Sequence, residues 1–348
     1  MSAPEQSYRH PRRGIIGPFL LVGIALAAWT GWWFYLAQQV ETRLETQVAA
    51  LNQGGWAVHH GEVTTSGWPF RVRVSLPRTD ILAPSGHGVA APELVAEANA
   101  WNPDHWVIIA PEGLTLTRAA KGKVEVTGDA LRMSISHLRD RFPDLRLEFV
   151  RSTFVPQPGA EPFPIASAEH IQLETRPHLT DGAATTDELD VLFNLVDARG
   201  RQGGPVEGAA QNGRLTLALE GTVQQASRLK GPDAAGLFAN WSRAGGRFTA
   251  VRGELTAGES RALLTSNALA VDGAGRLTGQ LALTAEKPSP AISGLASAQS
   301  GAVNRAGAMG AAAATTVSGD QPVALTLQFR DGRTWLGPFA LAPAPKLF

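Results

Sequence analysis

The stretch "SGWPFRVRVSLP", residues 66–77, decides the fold. Phe70, Val72, Val74 and Leu76 fall on one parity, and Arg71, Arg73 and Ser75 on the other. A strand turns successive side chains to opposite faces, so this segment has one dry face and one wet face. The pattern recurs along the chain at Leu114 and Leu116, Val124 and Val126, Leu131, Met133 and Ile135, and Leu145, Leu147 and Phe149. It returns at Leu189, Val191, Phe193 and Leu195, at Leu215, Leu217 and Leu219, and at Leu281 and Leu283. One-sided alternation marks antiparallel strands; parallel strands would be apolar throughout and would need regular crossover helices.

A different pattern precedes these strands. Residues 15–36, "IIGPFLLVGIALAAWTGWWFYL", carry no charge. About 22 residues at 1.5 Å each span roughly 33 Å, close to the ~30 Å hydrocarbon core of a bilayer. Arg9, His10, Arg12 and Arg13 stand before the run, and Glu41, Arg43 and Glu45 after it. The positive-inside rule then keeps residues 1–14 in the cytoplasm and exports the rest. Trp29, Trp32, Trp33 and Tyr35 crowd the outer end, where an aromatic belt belongs. A cleaved leader would end near Ala25-Leu26-Ala27, but the apolar run continues to Leu36, which favours a span. In residues 37–53, Val40, Leu44, Val48 and Leu51 define an amphipathic helix that Gly54-Gly55 stops.

Residues 56–346 are expected to form one exported β-rich domain. The fold class is mainly β: a transmembrane helix, then a large, curved antiparallel sheet, as a groove or open barrel, with one or two short helices. "GPDAAGLFANWSRAGG" reads as one of those helices, with Pro232 in its first turn. Residues 288–320, rich in Ala, Gly and Ser, read as a flexible or weakly helical insertion. In the closing hairpin, a three-residue loop Arg330-Asp331-Gly332 would put Trp335, Phe339 and Leu341 on the face of Leu325 and Leu327.

Composition narrows the function. Lys+Arg and Asp+Glu both number 31, so the net charge is zero, and no basic stripe offers a footing for nucleic acid. The absence of cysteine excludes disulfides, iron–sulfur centres, thiolate zinc sites and thiol nucleophiles. Ser227-Arg228-Leu229-Lys230 matches S-x-x-K, but neither S-D-N nor K-T-G follows. His59 and His60 are adjacent and would point to opposite faces of a strand, and Asp104-His105 is better explained as a turn entering a strand. No catalytic residue, metal site or cofactor is therefore expected.

"SGWPFRVRV", "NAWNPDHWVIIAP", "VDGAGRLTGQLALTAEKP" and "FRDGRTWLGPFALAPAP" together resemble the bacterial, mainly alphaproteobacterial, family called domain of unknown function twenty-one twenty-five. The resemblance runs from about Trp56 to the C-terminus and implies an inner-membrane anchor. More distantly, the chain is similar to AsmA-like envelope proteins, which implies a long curved sheet and lipid traffic. The expected function is to bind or convey an apolar ligand, a lipid, in envelope maintenance. The alternative is a structural envelope protein with a packed core. Phe70, Val72, Val74, Leu116, Val126 and Leu147 are the candidate groove residues, and the expected partners are the membrane, a lipid and other envelope proteins.

Alkaline phosphatase fused after Gly55 is expected to be active, because the basic flank holds the N-terminus inside. An inactive fusion, or a mature N-terminus near Ala28, contradicts the anchored topology.

Overall fold

The computed structural model describes residues 13–316 and 321–348, apart from the side chains of 13–16 and 186. Arg9, His10, Arg12 and residues 317–320 of the expected insertion lie outside the described residues, as does the side chain of Arg13. One helix, α1 (Arg13–Gln53), runs without a break through the apolar and amphipathic segments. Its 41 residues make a rod of about 62 Å, twice the thickness of a hydrocarbon core. Gly55, at φ 89°, closes it: the Gly55 N–H donates to Asn52 O and the Trp56 N–H to Leu51 O. This satisfies carbonyls that the helix end would otherwise leave open.

Among the described residues, eighteen strands follow in one sheet. β1 (Ala57–His59) and β2 (Thr64–Ser66) pair with opposite ends of β3 (Arg71–Leu82), which pairs with β4 (Gly88–Asn99). β4 takes β5 (Asn102–Ile109) at one end and β6 (Leu114–Arg118) at the other. β7 (Gly122–Thr127) lies on β6 and β8 (Ala130–Ser136) on β5, and both pair with β9 (Asp144–Pro156). From β9 each strand pairs with the next. They are β10 (Ile165–Thr180), β11 (Ala183–Gly200), β12 (Leu215–Gln224), β13 (Phe248–Ala257), β14 (Ser260–Val271), β15 (Leu277–Glu286), β16 (Val323–Arg330), β17 (Arg333–Leu336) and β18 (Phe339–Pro343). Every register is antiparallel, as the alternation requires. Three rows consist of two strands end to end, so the eighteen strands make fifteen rows.

The sheet rolls. β3 and β12 are seven row spacings apart, about 34 Å in a flat sheet. Yet the turn after β3 touches the segment after β12. The Ser85 N–H donates to Asp233 Oδ2 at 2.8 Å, and the Trp56 indole to Pro232 O at 2.7 Å. Asp233 caps α3 (Ala234–Arg243) by accepting from the Gly236 N–H. Trp241 fixes α3 on the apolar side of the sheet, buried among Val191, Val223 and Phe248, with its indole donating to Gln224 O. The roll therefore closes over the apolar face. Left-handed residues bend the strands on the way. Arg78, Arg151 and Asp197 take positive φ inside β3, β9 and β11. In β9, Phe149 and Phe154 both face the core although their parities differ, and in β11 so do Leu195 and Ala198. A local left-handed step of this kind shifts the parity and sharpens the twist.

Four helices follow α1, more than the one or two expected. α2 (Pro205–Ala209) precedes β12, and α4 (Pro288–Ser297) and α5 (Arg305–Thr316) lie between β15 and β16. Of the two alternatives, flexible or weakly helical, the helical one holds for α4 and α5, and both helices are packed. Small residues are what allow the fit. A Cβ on Gly294 would sit 1.8 Å from Gly208 O, so only glycine lets α4 approach α2 so closely. Pro232 precedes the Asp233 cap and is not in the first turn of α3.

The closing hairpin differs by one residue. Arg330 pairs with Arg333, leaving the two-residue turn Asp331-Gly332. Both residues are left-handed, at φ 51° and 69°, which is the turn whose twist matches the strands. Leu336 therefore faces Leu327, and Trp335 lies opposite Gln328 on the other side, 4.9 Å under the Arg330 guanidinium. Phe339 and Leu341 remain beside Leu325 and Leu327.

The Gly236 amide, and after it Ser85, hold the Asp233 carboxyl below its ordinary range. Such a group stabilises the fold above its unfolded value of about 3.9, and the gain is lost as pH falls through the lower native value. Asp233→Ala is expected to lower Tm at neutral pH and to converge on wild type in strong acid. A gap that stays constant across a pH series of melts rules out the ionised clasp.

Candidate functional site

The register of β3 extends across the molecule. Val74 pairs with Ala96, Ala96 with Ile108, Ile108 with Met133 and Met133 with Leu147. The row continues through Leu173, Phe193, Leu219, Gly253, Leu264 and Leu283 to Leu325. A neighbouring row runs Val72, Ala98, Trp106, Ile135, Leu145, Thr175 and Val191. These rows are the inner surface of the roll, and cross-strand apolar pairs of this kind are what hold such a sheet together.

Different elements cover different parts of it. α1 lays Trp33, Leu36, Ala37, Val40 and Leu44 on Val72, Val74 and Leu76. α4 brings Ile292 and Leu295 against Leu325 and Leu327. α3 covers β11 to β13 at one edge, and at the other Val124, Val126, Phe154 and Ala198 form a closed core. Between these covers the face stays half-open. Leu145 is 41% exposed and Leu173 37%, and Met133, Leu147 and Phe193 are half-buried.

The six groove residues named from sequence divide accordingly. Val72 and Val74 are buried under α1, and Val126 is buried in the closed core against which Leu116 packs. Leu147 lies on the half-open middle, in the same row as Val74. Phe70 stands outside β3, 63% exposed in the preceding turn, with its ring edge-on to Trp101 at 6.4 Å. Sequence reasoning missed Leu173 as a member of this surface, because β10 reads "IQLET" with polar neighbours and no long alternation.

Three cavities adjoin the face among the described residues; one, of about 320 Å³, lies between α5 and Leu325, Leu336 and Phe339, and the other two flank the row more closely. One of about 650 Å³ lies between α1 and the first strands, floored by Val74, Leu76, Ala96 and Trp106 and walled by Leu36, Val40 and Leu44. Arg43 and Arg139, both exposed, line its rim with Asp104, and neither arginine makes an ion pair among the described residues. The other, about 220 Å³, is almost wholly apolar and lies between α4 and β13 to β16. On the outer face a polar cleft holds Glu174, Arg176, His178, Asp190, Glu220 and Arg252. Its charges satisfy one another: His178 Nδ1 lies 2.6 Å from Asp190, and Arg252 3.0 Å from Glu220.

The residues weighed for catalysis do not converge. Asp104 and His105 are consecutive in β5 and point to opposite faces. The Ser227 N–H donates to Asp187 at 2.6 Å, a capping contact at a short 3₁₀ turn. Among the described residues no three His, Asp or Glu side chains are grouped as a metal site.

A single long apolar helix followed by one rolled antiparallel sheet defines a β-rich protein with one candidate membrane span. The chain belongs to the family described as "Uncharacterized protein conserved in bacteria (DUF2125)", whose pattern matches residues 33–345. The match begins at Trp33, inside the apolar run, so the second half of α1 is part of the family unit. No curated protein and no solved structure matches the chain, and the likeness to AsmA-like proteins rests on sequence style alone.

Val126→Asp and Leu173→Asp separate a sealed face from an open one. At Val126, fully buried, an unpaired carboxylate has no water, and the domain is expected to unfold. At Leu173 the carboxylate reaches solvent, and a cooperative melt close to wild type is expected. Equal loss of structure in both, measured by circular dichroism, means that the middle of the face is closed.

Proposed function

We propose that this protein holds an acyl-chain lipid on the inner face of its rolled sheet, as a non-catalytic part of the bacterial cell envelope. It is anchored in the inner membrane by α1, with the N-terminus in the cytoplasm and the sheet in the periplasm. One observation carries this reading: an apolar surface continuous over twelve strands is covered at its ends and left half-exposed in the middle. Monomeric proteins seldom leave such a surface without a use. An acyl chain lying along it would gain roughly 0.8 kcal/mol for each buried methylene. The cavity beside α1 shares Val74 with this row and carries Arg43 and Arg139, which make no ion pair among the described residues and suit a lipid phosphate. The basic N-terminal flank and the charge-free run support the topology. The likeness to AsmA-like proteins points the same way, as analogy only.

A structural role is the second reading, and the closed core around Val124, Val126 and Ala198 favours it, since no ligand fits there. Native mass spectrometry of the full chain released from membranes distinguishes the two. Bound phospholipid is expected on wild type and much less on Leu173→Asp. A wild-type protein from which no lipid is extracted or photocrosslinked excludes lipid holding.

A further inference from the structure

We propose a second membrane contact: the aromatic tip made by Trp68, Phe70 and Trp101 sits in the interfacial layer of the same bilayer that α1 crosses. The proposal rests on reading α1 as a membrane span. Its partner is the lipid interface itself, on the outer side.

The depth of the tip is fixed by three hydrogen bonds. The indole of Trp29 donates to Pro69 O at 2.8 Å, that of Trp33 to Arg71 O at 2.7 Å, and that of Trp32 to Ala100 O at 3.1 Å. Pro69 and Phe70 lie in the turn before β3, Arg71 is the first residue of β3, and Ala100 precedes Trp101 in the turn after β4. Both turns are therefore fastened to α1 at the level of residues 29–33. The apolar run extends to Leu36. At 1.5 Å per residue, the fastening lies roughly 5–10 Å inside the outer end of that run. The tip cannot stand clear of a bilayer that the helix crosses.

The chemistry of the tip fits that depth. Trp68 is 49% exposed, Phe70 63% and Trp101 60%, and no element among the described residues covers them. In water three large exposed rings side by side would be a liability, whereas tryptophan and phenylalanine are at home between headgroups and acyl chains. Arg71, next along the chain, is exposed and pairs with Glu97, which keeps charge on the outer face above the tip. The sheet is thus held to the membrane at two places, the helix and the tip. Its inner face starts at Val72 and Val74, directly above both.

The chain has no cysteine, so single spin labels can be placed at will. In the full chain reconstituted in phosphatidylcholine–phosphatidylglycerol vesicles, labels go at Gly23→Cys, Phe70→Cys, Trp101→Cys and Ala120→Cys. Gly23 faces open space in the middle of the span, and Ala120 is exposed in the turn at the opposite end of the strands. Phe70 and Trp101 are exposed, so a label there displaces no core. Labels at 70 and 101 are expected to gain collisions with dissolved oxygen and lose those with an aqueous nickel chelate, as at 23 and opposite to 120. Nickel access at 70 and 101 equal to that at 120, with 23 shielded, overturns the tip contact while leaving the span intact. Loss of both collision partners at 70 and 101 means protein cover and also overturns it. Nickel access at 23 removes the span, and the proposal with it.

Discussion

A sheet with one apolar face must hide that face, and this chain has few helices to do it with. Everything large in the structure follows from that constraint. The strands pair almost entirely with their sequence neighbours, so the sheet grows as one long ribbon without a second layer to pack against. Rolling is what remains. The twist inherent in strands supplies its direction, and left-handed residues in β3, β9 and β11 add local bends. The contacts of Trp56 and Ser85 with the cap of α3 then hold the rolled state against unwinding.

The helices act as patches on this roll, and each lies where the sheet curvature alone leaves apolar rows uncovered. α1 is the most consequential, because one element serves two solvents. Its first half is apolar and exposed, as a membrane span requires, and its second half covers β3, so the candidate span and part of the core share a single rod. Trp29, Trp32 and Trp33 belong to both halves: their rings lie at the edge of the apolar run and their indole N–H groups terminate backbone carbonyls of the sheet. Those carbonyls belong to Pro69 and Ala100 in two turns and to Arg71 at the start of β3, so the indoles satisfy backbone acceptors where the sheet begins and turns.

Much of this was legible in the sequence. Period-two alternation gave away the antiparallel sheet, because a strand that is wet on one face leaves no other arrangement. The apolar run and its basic flank marked α1. The order of strand pairing was not legible, since alternation records which face a residue takes but not which strand lies beside it. The final hairpin shows how narrow the margin is. Asp331-Gly332 signals a tight turn, yet a two-residue and a three-residue loop differ by one step of register, and that step carried Trp335 to the other face. For residues 288–316 the sequence leaves flexible and helical readings open for a related reason. Alanine and glycine have no bulk to show periodicity, yet Ala308, Ala311 and Ala312 are buried because small side chains let α5 lie close to its neighbours. The tryptophans suggested an aromatic belt, but nothing in one sequence links an indole to a carbonyl about forty or more residues away.

The half-open middle of the face sets what the two readings of function must explain. A scaffold would gain from closing it, because each leucine moved from partial exposure to full burial adds on the order of 1 kcal/mol. Leu145 and Leu173 stand at 41% and 37% exposure between two well-covered regions, so the gap is local and not a general looseness of packing. The chain can evidently seal this face where it does so, as at Val72, Val124 and Val126. Leaving one band unsealed, in register with the cavity beside α1, is costly for a molecule that only needs to be rigid. The same band becomes favourable when a chain of methylenes lies across it. On the proposed reading such a chain lies only on the open band around Leu145, Leu147 and Leu173, between the stretches that α1 and α4 already cover.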